Sequence, residues 1–251
     1  MAGCPPDYFS ETGQLWGNPV YDWNALKETG YAWWIDRIAH QLGLYDYLRI
    51  DHFRAFESYY AIPAGAQTAE SGCWCKGPGV DFFDTLRQRL GELPLIAEDL
   101  GFLTQEVFDL LKDTGFPGLK VLHFAFNADG KSMYLPFRYE KNCVVYTGTH
   151  DNDTTVGWYQ TLDEDEKRFL DQYVGGLDEA NVHWQLIRLA MSSVADVCII
   201  PMQDILGLPT QARMNKPQQS QGYWCWRVRE EDIKNAPWSR LREMTQVYGR
   251  T

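Results

Sequence analysis

Three acidic residues each follow a separate apolar segment of the sequence, at positions where a carboxylate can do chemistry. Asp51 lies in YLRIDHF, Glu98 lies in PLIAED, and Asp151 directly follows CVVYTGTH. Glycosidic bonds are exchanged when one carboxylate attacks the anomeric carbon and a second, protonated carboxyl donates to the leaving oxygen. A third acid can hold substrate hydroxyls or the developing charge. Three acids in these positions therefore suit the exchange of glycosidic bonds.

The residues around Asp51 and Glu98 favour different roles for the two acids. Arg49 precedes Asp51 by two residues and so shares its strand face, where its charge would keep a nucleophilic Asp51 ionised. A proton donor needs a raised pKa, which burial beside Asp51 and Asp99 would give to Glu98. The alternative is that these charges are ion pairs at strand ends that only stabilise the fold.

Five apolar runs predict the strands that must position these acids: 47–53, 94–99, 118–126, 143–150 and 197–203. Their near-continuous apolarity is typical of parallel strands buried on both faces. Polar residues stand at the downstream ends of these runs: Asp51, Glu98 with Asp99, His150 with Asp151, and Gln203 with Asp204. In a (β/α)8 barrel, such strand ends converge on one mouth and carry the catalytic groups.

Helical periodicity falls between and around the strands, so the sequence predicts an α/β fold of repeated βα units. The predicted helices cover 31–42, 80–91, 104–115 (with Thr104 as N-cap and Gly115 as stop), 163–174, 181–194 and 238–249. No repeat or linker divides the chain, so we expect residues 1–251 to form one part of a catalytic barrel. The long loops at 54–79 and 204–236 are expected to be functional.

Charge and composition exclude several classes of partner. A net charge of −11 disfavours nucleic acid and anionic membranes, which would be repelled. Export and membrane spanning are not expected, because no signal peptide or long apolar run is present. Six cysteines without a framework spacing favour a reduced, cytoplasmic location. The pair in CWC, 73–75, lacks a second pair at metal-ligand spacing, and DNDTTVG, 151–157, lacks the glycine and glutamate of a calcium loop.

A series of motifs, in this order, resembles the 4-α-glucanotransferases called amylomaltase or disproportionating enzyme. The motifs are GQLWGNPVYDW 13–23, RIDHFR 49–54, WCKGPG 74–79, IAEDLG 96–101, GFPGLKVLHFAF 115–126, YTGTHDNDTT 146–155 and ARMN 212–215. The resemblance implies that Asp51 is the nucleophile, Glu98 the general acid/base and Asp151 the transition-state stabiliser. It also implies a retaining reaction without a cofactor.

The same resemblance identifies further residues of the substrate cleft: Arg49, His150, Trp74, His52, Asn18, Lys76 and Arg213. Some have structural alternatives. Trp74 is either a platform for a sugar face or a loop anchor. His52 should point to the opposite side of the strand from Asp51, which leaves a purely structural role open. His123 lies in an apolar strand, so we expect it to be packed rather than catalytic.

The resemblance also implies that this chain matches only part of the family's catalytic chain. That catalytic chain is roughly twice as long, and the match begins in mid-barrel. The five predicted strands would be the last five of eight. We therefore expect the chain alone to have little activity and to associate with a missing N-terminal segment or another copy of itself. Two other functions stay open: an α-glucan hydrolase of the α-amylase clan, and an inactive glucan-binding fragment.

Overall fold

The computed structural model describes residues 1–6, 10–127, 129–217 and 221–250. Strands and helices are both present throughout, which confirms the predicted α/β class. Contacts divide the chain into two compact units, Met1–Gly118 and Leu119–Thr251, although no linker marks this division in the sequence.

The first unit contains two sheets. Its strands are β1 (Ala2–Cys4), β2 (Gln14–Leu15), β3 (Leu48–Ile50), β4 (Ser58–Ala61), β5 (Cys73–Lys76) and β6 (Leu95–Ala97). Its helices are α1 (Trp23–Glu28), α2 (Ala32–Leu42), α3 (Gly79–Leu90) and α4 (Gln105–Thr114). Strands β3 and β6 pair in parallel, whereas the other four form an antiparallel sheet in the order β2-β1-β4-β5.

An aromatic core fixes β3 and β6 in the first unit. Phe53, which follows β3, packs with Phe82 and Phe83 of α3, and all three side chains are fully buried. Leu95 of β6 lies in the same cluster. Burial of apolar area of this size is the main stabilising contribution to such a unit. The ends of β3 and β6 are therefore held by this packing together with two backbone hydrogen bonds between them. Glu98 N–H donates to the Ile50 carbonyl and Phe53 N–H to the Glu98 carbonyl, each at 3.0 Å.

The remaining elements form a second α/β arrangement. The strands are β7 (Gly118–Val121), β8 (Cys143–Tyr146) and β9 (Val197–Ile199), in the order β7-β8-β9. The helices are α5 (Thr155–Thr161), α6 (Glu164–Val174), α7 (Val182–Ser192), α8 (Met202–Ile205), α9 (Glu230–Asn235) and α10 (Trp238–Val247). Leu186 and Ala190 of helix α7 belong to the same buried cluster as Val145 of β8, the strand that leads to Asp151.

The six predicted helices are confirmed to within a few residues, and Thr104 and Gly115 cap α4 as expected. The five predicted strands are also confirmed, but each is only three or four residues long. Most of the apolar runs extend beyond the observed strands, because the chain leaves each strand and enters a tight helical turn. Such turns lie at Phe53–Phe56, Leu122–Phe124 and Met202–Ile205.

The expectation that 54–79 and 204–236 are simply loops is wrong. The first contains β4 and β5, and the second contains the last two residues of α8, a turn of 3-10 helix at Thr210–Ala212, and α9. The antiparallel sheet was not predicted, because its strands have two to four residues, too few to establish an alternating pattern.

Candidate active site

Asp51 and Glu98 follow two paired parallel strands at the same end. Strand β3 pairs with β6 so that Arg49 lies opposite Ile96 and Ile50 opposite Ala97, and the two acids come directly after these pairs. The guanidinium of Arg49 contacts Asp51, with Nη1 2.6 Å from Oδ1. The Asp51 side chain is 74% exposed. The predicted pairing of Arg49 with Asp51 is therefore present in the structure.

Glu98 occupies a contrasting environment, with only 9% of the residue exposed. Burial, with the nearby charge of Asp51, raises the pKa of Glu98 to about 7. Its Oε2 accepts the backbone N–H of His52 at 2.6 Å, and Oε1 accepts the N–H of Leu100 at 2.9 Å. These two bonds stabilise the carboxylate but do not offset its desolvation. The direction of this shift is the one expected from the sequence.

His52 contributes its backbone to this arrangement. It adopts a left-handed conformation, φ 50°, which turns its N–H toward Glu98 as the chain leaves β3. Its ring meets the indole of Trp16 edge to face at 4.7 Å. Burial lowers the pKa of His52 to about 4, so the imidazole is neutral near pH 7. Two residues after Trp16, the exposed Asn18 accepts the N–H of Ala2 through its backbone carbonyl at 2.8 Å.

Trp74 and Lys76 lie on β5, in the antiparallel sheet. The guanidinium of Arg54 lies 4.0 Å from the Trp74 ring centroid, and Tyr60 meets the same ring edge to face at 5.2 Å. Trp74 nevertheless remains 42% exposed. Lys76 forms an ion pair with the carboxylate of Glu57. Trp74 is thus anchored by its neighbours and still accessible to solvent.

In the second unit, several side chains converge on Asp151. Asn215 donates from Nδ2 to Oδ1 of Asp151 at 2.6 Å, and His150 Nε2 lies 3.4 Å from Oδ2. Arg213 donates from Nη2 to the Asp151 backbone carbonyl and from Nε to the Asn215 carbonyl, each at 2.6 Å. The predicted residues His150, Asp151 and Arg213 therefore lie together, with Asn215 as an additional member.

An exposed tryptophan flanks His150. Trp224 has φ 62°, a left-handed conformation, and its N–H donates to the Met214 carbonyl at 2.7 Å. Its ring lies 5.3 Å from the imidazole of His150, and 55% of the residue is exposed. An aromatic face in this position can stack on a sugar ring.

The segment that carries His150 and Asp151 is tied down by buried hydrogen bonds. Asp204 accepts the hydroxyl of Thr147 at 2.5 Å, and the N–H and hydroxyl of Thr155 at 2.7 and 2.8 Å. His123 Nε2 lies 3.0 Å from the same Thr155 hydroxyl, and its ring stacks on Trp158. Since that hydroxyl donates to Asp204, it accepts from Nε2–H of His123. Both ends of 147–155 are thereby fixed, and His123 is packed, as expected from the sequence.

Asn215, Trp224 and Trp16 were not predicted as site residues. Asn215 closes the matched motif ARMN, two residues after Arg213, and that position is the only signal that would have identified it. Trp16 stands inside GQLWGNP, but nothing in its spacing links it to His52. Trp224 lies in a stretch without helical or strand periodicity, so its neighbour could not be inferred.

Within the described ranges, no group of three or more His, Cys, Asp or Glu side chains is arranged to hold a metal ion. The helices of the described residues include none that is long and apolar enough to cross a membrane.

Comparison with known proteins identifies many relatives. The chain is 54% identical to a 4-alpha-glucanotransferase from Synechocystis and 48% identical to one from Clostridium butyricum, and both matches cover 100% of this chain. It covers 50% and 52% of those two proteins, so the chain spans about half the length of the curated relatives it matches.

A solved structure is also similar. The amylomaltase from Streptococcus agalactiae in complex with acarbose superposes with a TM-score of 0.96 at 41% identity, over 99% of this chain and 50% of that one. The amylomaltase of Corynebacterium glutamicum, at 19% identity and a TM-score of 0.79, shares the fold. A family model described as 4-alpha-glucanotransferase matches residues 1–233. The chain therefore belongs to the 4-α-glucanotransferase family.

Proposed function

We propose that this chain carries the catalytic acids of an enzyme that transfers α-1,4-glucan segments between maltooligosaccharides with retention of configuration. The observation that supports the proposal most directly is the contrast between two carboxyl groups at the ends of paired strands. Asp51 is exposed and paired with Arg49, whereas burial raises the pKa of Glu98 to about 7. One acid is thus suited to attack and the other to donate a proton at neutral pH.

The proposed reaction has two steps. Ionised Asp51 attacks the anomeric carbon, the glycosidic bond breaks, and Glu98 gives its proton to the departing oxygen, which leaves a β-linked glycosyl-enzyme. The hydroxyl of an acceptor glucan then gives its proton to Glu98 and attacks the same carbon, which releases Asp51. Every proton and electron pair is supplied by the two acids and the sugars, so the proposal includes no cofactor.

Other residues are assigned supporting roles. Asp151 is proposed to stabilise the charge that develops at the anomeric centre, with His150 beside it. Asn215 orients the carboxylate of Asp151 and Arg213 holds its backbone. This fixed position supports the proposed role, because a stabilising charge must be held in place before the reaction. Binding of substrate is assigned to Arg49, His150, Trp74, His52, Asn18, Lys76 and Arg213. The exposed ring of Trp74 is suited to stack on a glucose face.

We further propose that residues 1–251 are the C-terminal part of a (β/α)8 catalytic barrel in a cytoplasmic enzyme. The parallel pairs β3 with β6 and β8 with β9 support this arrangement, as does the likeness to half of an amylomaltase chain. The proposed partners are α-1,4-glucans and either an N-terminal segment that completes the barrel or another copy of the chain. Nucleic acid and membranes are not proposed partners, given the net charge of −11.

Incubation with maltotriose tests the reaction. Since the chain spans half the length of its relatives, the assay is run on the chain alone and with the remaining part of the Synechocystis protein supplied as a separate polypeptide. We expect a series of longer and shorter glucans. Asp51→Ala and Glu98→Ala should each abolish the series. The matched control is Asp113→Ala, which removes an exposed acid on α4.

Two results would contradict the proposal. Products that are only shorter than maltotriose would indicate a hydrolase. A series of products that survives either Asp51→Ala or Glu98→Ala would show that the acids are wrongly assigned.

A further inference from the structure

Two thiols lie side by side on β5, outside the chemistry proposed above. Cys73 and Cys75 are separated by one residue in the strand, so their side chains share a face and that of Trp74 lies on the other. Their sulfur atoms are 4.0 Å apart, and both cysteines are free. Cys73 is exposed and Cys75 is partly buried. Two accessible thiols at this separation can react as a pair.

Formation of a disulfide between these thiols requires a change in the backbone of β5. Residues two apart in a strand have Cα atoms about 6.6 Å from each other, near the upper limit of the range that disulfides span. A disulfide also needs Cβ atoms about 3.5–4.5 Å apart, closer than an extended strand holds residues two apart, so a bond between Cys73 and Cys75 requires β5 to bend at Trp74. Among the strands of the described residues, β5 is at the edge of its sheet and pairs with β4, so such a change disturbs one ladder of hydrogen bonds there.

We propose that Cys73 and Cys75 are a redox-active dithiol that small-molecule disulfides, such as oxidised glutathione, convert to an intrachain disulfide. The thiolate of one cysteine attacks a sulfur of oxidised glutathione and releases one glutathione thiolate, which leaves a mixed disulfide. The second cysteine then attacks the protein sulfur and releases the other glutathione. Two protons and two electrons leave the protein, and oxidised glutathione accepts the electrons.

The surroundings set the order of attack. Burial and the neighbouring Cys73 thiol raise the pKa of Cys75. Cys73 is the more exposed residue and so meets the oxidant first. Cys75 then acts as the resolving thiol, since its sulfur already lies beside that of Cys73. Strain in a bond across one intervening residue makes the product easy to reduce, so the reaction is reversible.

The test uses the full chain and follows peptide masses. The reduced protein is equilibrated with increasing ratios of oxidised to reduced glutathione, free thiols are blocked with N-ethylmaleimide, and the protein is digested with trypsin. Both cysteines fall in peptide 55–76, which contains no other cysteine. We expect this peptide to lose two hydrogens and two maleimide labels at high ratios, and to recover both labels after dithiothreitol.

Variants and an internal control make the result decisive. Cys73→Ser and Cys75→Ser should each give a glutathione adduct on the remaining cysteine in place of the disulfide. Cys225, also exposed, is reported by peptide 214–227 and should form only an adduct, and Cys225→Ser should leave closure at Cys73 and Cys75 unchanged. The proposal is overturned if wild-type peptide 55–76 carries glutathione adducts or two maleimide labels at ratios that fully modify Cys225.

Discussion

At the scale of the residue, Glu98 links the chemistry to stability. Its pKa is about 7 in the folded chain, against an ordinary value of 4.5, because it is buried and lies near Asp51. Between these two values, the folded state binds more protons than the unfolded state, so the free energy of unfolding falls as pH rises. The stability that Glu98 contributes at low pH is lost as pH rises to about 7, which lowers the free energy of unfolding by roughly 3 kcal/mol in total. Glu98 is thus held in its acid form at the expense of stability.

We expect Glu98→Gln to become progressively more stable than the wild type as pH rises from 5 to 8, since the amide carries no charge to desolvate. Urea unfolding across this range measures the difference. One N–H donor loses its acceptor in the variant, so the gain will be smaller than the full cost of the charge. Glu92→Gln removes an exposed acid and should show no such trend. A constant difference for Glu98→Gln would mean that Glu98 titrates normally.

A contact in the site can be predicted from the sequence when its two residues are close together along the chain. Arg49 and Asp51 are two residues apart, so strand geometry alone placed them together, and the structure agrees. Asn215 and Asp151 are 64 residues apart, and their contact depends on how the chain folds back. The sequence carries no local signal for such a contact. For the same reason, the sequence predicts that Asp204 is a polar residue at a strand end but does not predict that it accepts buried hydrogen bonds from Thr147 and Thr155.

At the scale of the element, the segment 147–155 depends on Asp204. This carboxylate accepts three hydrogen bonds from Thr147 and Thr155 and is almost fully buried. We expect Asp204→Ala to lower the free energy of unfolding by about 2–4 kcal/mol, because buried donors lose their acceptor. Chemical denaturation measures the loss. The resulting mobility should also expose the bonds around Asp151 to proteolysis.

Asp163 provides the matched control. It also accepts backbone N–H groups, those of Asp165 and Glu166, but at an exposed helix N-terminus. Asp163→Ala should therefore cost about 1 kcal/mol. If Asp204→Ala costs no more than Asp163→Ala, Asp204 does not anchor the segment.

At the scale of the whole molecule, the two parallel strand pairs end in unprotected edges. In the sheets of the described residues, β3 has only β6 as a neighbour and β9 has only β8. Val197 and Ile199 of β9 are 37% and 40% exposed, although both are apolar. Tyr45 and Tyr47, just before β3, are exposed as well. Apolar edges of this kind pair readily with further strands.

We therefore expect the 251-residue chain to associate in solution through β9. Ile199→Lys places a charge on the edge and should shift the measured mass toward the monomer, because a lysine disfavours strand addition. Ile233→Lys is the matched control, since Ile233 is 43% exposed but lies on α9. Light scattering at several concentrations gives the mass. Maltotriose conversion should be low for the chain alone and rise when the remaining part of the Synechocystis relative is added. A monomer that is fully active alone would show that these edges need no partner, and that the proposed barrel is functional without the strands we expect to complete it.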